Sequence, residues 1–82
     1  MKILYFAKLK QLIGKSEDHI KLNKSLKISE IIHELTKKNK KYATAFNQTN
    51  NLQYAVNCEY VNKNSLVKNE DELAIFPPVN GG

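Results

Sequence analysis

The sequence has no arginine, no tryptophan, one cysteine and three glycines in 82 residues. Each shortage excludes something. A single cysteine, Cys58, rules out an internal disulfide and a cysteine-rich metal site, and a small apolar residue in a strand is its expected role. His19 and His33 stand apart, without metal-ligand spacing, so no metal is expected. No run of 18 or more apolar residues occurs, so no membrane-spanning helix is expected. The apolar start, Ile3-Leu4-Tyr5-Phe6, is too short for a secretory signal and is followed at once by Lys8 and Lys10, which points to a cytoplasmic protein. All 13 basic residues are lysine, giving a net charge of +5. The missing guanidinium, the usual fork for guanine and phosphate, argues against nucleic acid as the partner.

The chain does contain enough apolar residues, 41%, for one small core, and its length fits one domain. Residues 2–7 form a compact β-branched and aromatic run that predicts a strand. Ala7 to Ile13 predicts a short helix, with Leu9, Leu12 and Ile13 on one face and Gly14 as its stop. Glu17 to Leu22 alternates as a half-buried strand. The clearest helix starts near Ile28, where Ile28, Ile31, Ile32 and Leu35 form one apolar stripe. Ser25 or Ser29 is a candidate cap, and the run Lys37, Lys38, Lys40 and Lys41 suits the negative end of the helix dipole. Tyr42, Ala43, Ala45 and Phe46 either add a helical turn or pack under a loop that continues through residues 47–51.

Residues 52–58 alternate as a strand, with a turn at Cys58-Glu59 leading to a short strand at Tyr60-Val61. Leu73 to Phe76 is the last strand and apolar throughout. The first and last strands are the most apolar, which places them side by side and parallel at the centre of a sheet. The expected fold class is α+β: a β-grasp, or ubiquitin-like, domain with a mixed sheet of about five strands and one long helix packed across it. The globular domain is expected over residues 1–76, with an extended tail over residues 77–82.

The tail, Pro77-Pro78-Val79-Asn80-Gly81-Gly82, carries the chemical signal. Two prolines end the strand and keep the chain extended. Val79 offers one apolar handle. Gly81 and Gly82 have no side chain, so the terminus fits a narrow channel. Six extended residues reach on the order of 20 Å, enough to enter a partner's active site. At average glycine usage a Gly-Gly ending arises by chance roughly once in 200 sequences. A stiff spacer ending in a slim terminus makes sense if the terminal carboxylate is the functional group. A carboxylate is a poor electrophile and needs activation, typically as an acyl-adenylate. No phosphate-cradling glycine loop is present, so another protein must bind the ATP, and no cofactor is expected on this chain.

Ala55-Val56-Asn57, Leu73-Ala74-Ile75-Phe76-Pro77-Pro78-Val79 and Gly81-Gly82 resemble the small subunits of molybdopterin synthase, a ubiquitin-like sulfur-carrier family. Ile3-Leu4-Tyr5-Phe6-Ala7, Leu9, Leu12-Ile13-Gly14 and Asp71-Glu72 are similar too, so the resemblance spans essentially the full length. Two positions depart from the pattern. Glu70 stands where a turn glycine is usual, and Lys27 where a helix-capping threonine is frequent. The resemblance implies a cycle. An adenylating enzyme activates Gly82 with ATP, a sulfur donor protein converts it to a thiocarboxylate, and the tail enters the large subunit of molybdopterin synthase. There sulfur passes to cyclic pyranopterin monophosphate, within a heterotetramer and during molybdenum cofactor biosynthesis. This chain supplies the sulfur and no catalytic side chain. Gly82 carries the acyl group and Gly81 gives clearance. Phe76, Pro77, Pro78, Val79 and Asn80 are the expected partner contacts, with core packing the competing role for Phe76.

Other carriers remain open at this level: a sulfur carrier for thiamine or tRNA thiolation, or a ubiquitin-like modifier. A small basic RNA-binding module is the alternative of another class, distinguished by steep salt dependence and indifference to Gly81-Gly82. A Cys58 nucleophile would need a neighbouring base, which the sequence does not show.

Overall fold

The structure, a computed structural model, describes residues 1–78. The elements follow in the order β1 (Lys2–Tyr5), α1 (Ala7–Ile13), β2 (Glu17–His19), β3 (Leu26–Lys27), α2 (Ile28–Lys38), α3 (Lys40–Gln48), β4 (Gln53–Val56), β5 (Glu59–Val61), β6 (Leu66–Val67) and β7 (Glu72–Phe76). Five strands form one mixed sheet in the order β2-β1-β7-β4-β5, and β3 and β6 pair separately. The expected central pair is present: β1 and β7 run parallel, with Ile3 beside Leu73 and Tyr5 beside Ile75. This is the β-grasp arrangement.

Strand periodicity divides the sheet into two faces. Ile3, Tyr5, Leu73 and Ile75 are buried against the helices, where they meet Leu9 and Ile13 of α1, Ile28, Ile31 and Leu35 of α2, and Ala45 of α3. Residues of the opposite parity, Leu4, Ala74 and Phe76, remain only partly buried. The central strands are thus apolar on both faces, yet this chain covers only one of them among the described residues.

Beside the expected short helix α1, the helical layer holds two helices, α2 and α3, where one long helix was expected. Asn39 breaks the run with an extended backbone (φ −154°, ψ 138°). Its side-chain Oδ1 then accepts a hydrogen bond from the Lys41 N–H at 2.8 Å and caps α3. Tyr42 and Ala45 turn inward, so residues 40–48 form a full helix and the expected loop shortens accordingly. At the start of α2 the cap residue is Lys27, not a serine. Its side chain caps nothing, but its backbone N–H donates to Glu30 Oε1 at 2.8 Å. The N–H groups of Ile28 and Ser29 donate to the Ser65 and Lys63 carbonyls, so the β3–β6 ladder and the loop before β6 satisfy donors that a helix start leaves unpaired.

Asp18 on β2 ties the layers together. Its carboxylate accepts hydrogen bonds from Tyr5 Oη at 2.8 Å, from Tyr42 Oη and from Lys15 Nζ at 2.9 Å. Burial opposes its ionisation, but the bonds from Tyr42, Lys15 and Tyr5 outweigh this and hold the carboxyl below its ordinary range. Burial first, and the Asp18 contact second, push the Tyr5 phenol well above its ordinary value. The Asp18 contribution to stability is therefore present above the ordinary carboxylate pKa and is lost as pH falls through the lower folded value. The Tyr5 contribution is lost as pH rises above about 10, where the unfolded phenol ionises. Asp18→Ala orphans the buried Tyr5 hydroxyl and is expected to cost about 2 kcal/mol, or about 10 °C in melting temperature, at neutral pH. Thermal melts should show this difference shrinking below about pH 4.

Candidate docking face and the root of the tail

The open face of the sheet is built by register. Ala55 pairs with both Tyr60 and Ala74, and Leu4 pairs with Ala74, so these four side chains share one row. The next row outward holds Phe76, opposite Gln53, with Phe6 following β1 beside it. The Phe6 and Phe76 rings meet edge to face with centroids 6.4 Å apart, and Tyr60 and Phe76 lie 5.8 Å apart. The two alanines keep the floor low while the aromatics stand as walls. The result is an open groove of about 560 Å³ lined by Phe6, Ala7, Ala55, Cys58, Tyr60, Ala74, Phe76, Pro77 and Pro78.

Tyr60 is 76% exposed and Phe6 44% exposed. Leaving such side chains in water forgoes about 25 cal/mol for each Å² of apolar surface not buried. A contiguous patch of this kind marks a binding surface. Pro77 and Pro78 line its edge, so the patch sits where the tail leaves the domain.

Of the residues expected to meet a partner, Phe76, Pro77 and Pro78 fall together on this groove. Phe76 is half-buried and lies outside the buried core cluster. Val79, Asn80, Gly81 and Gly82 lie outside the described residues. Phe6 and Tyr60 belong to the face and went unrecognised in the sequence. Their signal was parity: Phe6 follows Lys2 and Leu4 on the open side, whereas the apolar run around it reads as buried throughout.

Cys58 is not a buried strand residue. It is exposed and occupies the β4–β5 turn, which falls at Asn57-Cys58, one residue earlier than expected. Both turn residues have positive φ, 50° and 71°, the pattern of a two-residue hairpin turn that follows the sheet twist. Asn57 tolerates this conformation and uses its side chain. Oδ1 accepts from the Glu72 N–H at 3.0 Å, and Nδ2 donates to Asp71 Oδ1 at 2.9 Å. This clamp explains Asn57 in the Ala-Val-Asn segment. Cysteine gains nothing there, so Cys58→Gly is expected to raise stability by about 0.5–1 kcal/mol in a thermal melt. Cys58→Ala should leave any tail chemistry nearly intact.

The acidic stretch at 70–72 serves the fold in part. The Asp71 carboxylate accepts from the Lys68 N–H at 2.9 Å and from Asn57, and these bonds, that from Lys68 first, hold its carboxyl below the ordinary range. The turn closes with neither Asn69 nor Glu70 left-handed among the described residues, so the missing glycine is not needed. Asn69 Oδ1 instead accepts from the Leu22 N–H at 2.8 Å. His19 and His33 are exposed, and no group of three metal-ligating side chains occurs among the described residues. No helix there is long and apolar enough to cross a membrane.

The molybdopterin synthase sulfur carrier subunit of Haemophilus influenzae is 39% identical over 83 residues, covering 100% of this chain and 99% of that protein. The subunit of the same name from Dictyostelium discoideum is 37% identical over 83 residues, covering 99% of this chain and 94% of that protein. Among solved structures, a putative molybdopterin converting factor subunit 1 from Pyrococcus furiosus superposes with a TM-score of 0.75 at 30% identity, covering 95% of each chain. A model of the ThiS family matches residues 3–82. The chain belongs to the ThiS family.

Proposed function

We propose that this chain is the sulfur carrier subunit of a molybdopterin synthase. The observation that carries the reading is an uncovered aromatic face at the root of a Pro-Pro-Val-Asn-Gly-Gly tail, on a chain that matches named sulfur carrier subunits end to end. Residues 1–76 act as the globular body and residues 77–82 as the arm.

In the cycle, the Gly82 carboxylate attacks the α-phosphate of ATP on an adenylating enzyme, releasing pyrophosphate and forming an acyl-adenylate. A persulfide held by a donor protein displaces AMP to form an acyl disulfide, and a thiol then cleaves its S–S bond, leaving the tail as a thiocarboxylate and the donor sulfur in a disulfide with that thiol. The aromatic groove docks on the large subunit while the arm carries the sulfur into its active site. There the sulfur passes to cyclic pyranopterin monophosphate, and Gly82 returns to a carboxylate. The chain binds no cofactor, contributes no acid or base side chain, and works in the cytoplasm. Phe76, Pro77, Pro78, Val79 and Asn80 guide the arm, and Gly81 passes the narrow entry.

Reconstitution tests the assignment. The thiocarboxylated chain, mixed with the Haemophilus influenzae large subunit and cyclic pyranopterin monophosphate, should yield molybdopterin. No product there, together with sulfur delivery to a thiamine precursor or a tRNA base by the same preparation, would assign the carrier to another pathway.

A further inference from the structure

The helical side of the molecule carries a charge imbalance that neither the fold nor the tail uses. Residues 7–16 and 35–50 contain seven lysines and no aspartate or glutamate, while the rest of the chain has six lysines and eight carboxylates. That is +7 on these two segments and −2 elsewhere, which together give the net charge of +5. The two segments meet in space. The Lys41 ammonium lies beside Gly14 at the end of α1, and Lys15 Nζ sits 5.9 Å from the Tyr42 ring centre. Lys10, Lys15, Lys37, Lys38, Lys40 and Lys41 are all exposed. Only Lys15, with Asp18 at 2.9 Å, and Lys37, with Glu34 at 3.9 Å, have an acidic neighbour among the described residues.

Helix stability does not explain the arrangement. Lys37 and Lys38 end α2, where a cation is favoured, but the break at Asn39 puts Lys40 and Lys41 in the first turn of α3. There the helix dipole disfavours positive charge, and no acidic side chain offsets it. Clustered like charges also repel one another.

We infer that this basic face docks an acidic protein surface, on the side of the sheet opposite the aromatic groove. Nucleic acid fits less well, because the chain has no arginine and the large exposed hydrophobics, Phe6, Tyr60 and Leu66, all lie off α1, α2 and α3. A lipid surface fits less well too, since among the described residues no large exposed hydrophobic lies on these helices to insert. Lysine-borne contacts of this type act chiefly by speeding association. Because the groove and the lysines lie on different faces, the second contact is compatible with a docked tail. The inference stands apart from the carrier reading.

The test is a ¹⁵N NMR titration of the full chain with a poly-L-glutamate peptide of about 20 residues, with single-stranded poly-uridine RNA and phosphatidylglycerol vesicles as comparators. Shifts should concentrate at Lys10, Lys15 and residues 37–41 and leave Ala55, Tyr60 and Ala74 unmoved. Binding should weaken about threefold or more between about 50 and 200 mM salt. Combined Lys37→Glu, Lys38→Glu, Lys40→Glu and Lys41→Glu should lose about tenfold or more in affinity. Lys40→Gln with Lys41→Gln, which relieves the start of α3, should stay folded and bind about threefold more weakly. A chain lacking Gly81-Gly82 should bind like the full chain, which separates this result from any failure of the carrier reading. Unchanged affinity in the lysine variants, shifts centred on the aromatic groove, or RNA or vesicles binding about tenfold more tightly than the peptide would overturn the inference.

Discussion

A chain extended by one residue beyond Gly82 is expected to fold normally and to transfer no sulfur. The added residue places an amide where the reactive carboxylate belongs and moves the new terminus by about 3.5 Å. Effective transfer demands placement far finer than this, since a shift of about 1 Å can cost on the order of a hundredfold in rate. An amide carbonyl also cannot be adenylated, so loss should be complete and not graded. The body has no reason to respond: the tail follows β7, and the core residues Leu73 and Ile75 are already set by their pairing with β1 and β4. Melting curves of the extended and native chains should coincide to within about 0.5 kcal/mol. Sulfur transfer at a normal rate from the extended chain would end the tail mechanism.

Tyr60→Ala is the second large effect. Tyr60 is 76% exposed, so its truncation removes little from the folded chain. Its ring lies beside that of Phe76, and on the proposed docking face it would serve as an aromatic anchor. Anchors at the centre of an interface typically contribute about 2–4 kcal/mol, which corresponds to roughly 30- to 1,000-fold in affinity. Calorimetric titration against the large subunit should show this loss, while the melting temperature changes by no more than a few degrees. A change below about threefold would place the interface elsewhere.

These results separate what the sequence disclosed from what it concealed. The end of β7 at Phe76 was legible because Pro77 and Pro78 cannot pair in a ladder. Helix α1 was legible to the residue, since Gly14 adopts the left-handed φ of 90° that ends it. The central β1–β7 pair followed from two apolar runs. Helix α3 was foreseen only as one of two options for Tyr42 to Phe46, because Asn39, inside the lysine run, is both the break and the cap. The β3–β6 ladder has two residues per strand, too short for any periodicity. The open aromatic face was half legible. Phe76 advertised itself through its neighbours in the tail, but Phe6 and Tyr60 reach it only through strand register, which parity at β1 and the position of the 57–58 turn decide.

The central claim is that the terminal glycine carries sulfur. Fragment-resolved mass spectrometry of the C-terminal peptide, from protein purified from its native host, tests it most directly. Fragmentation matters because oxidation elsewhere adds nearly the same mass as replacing one oxygen by sulfur. The account predicts that replacement on Gly82. An unmodified Gly82, persisting after incubation with ATP, a sulfur donor and host lysate, would contradict it.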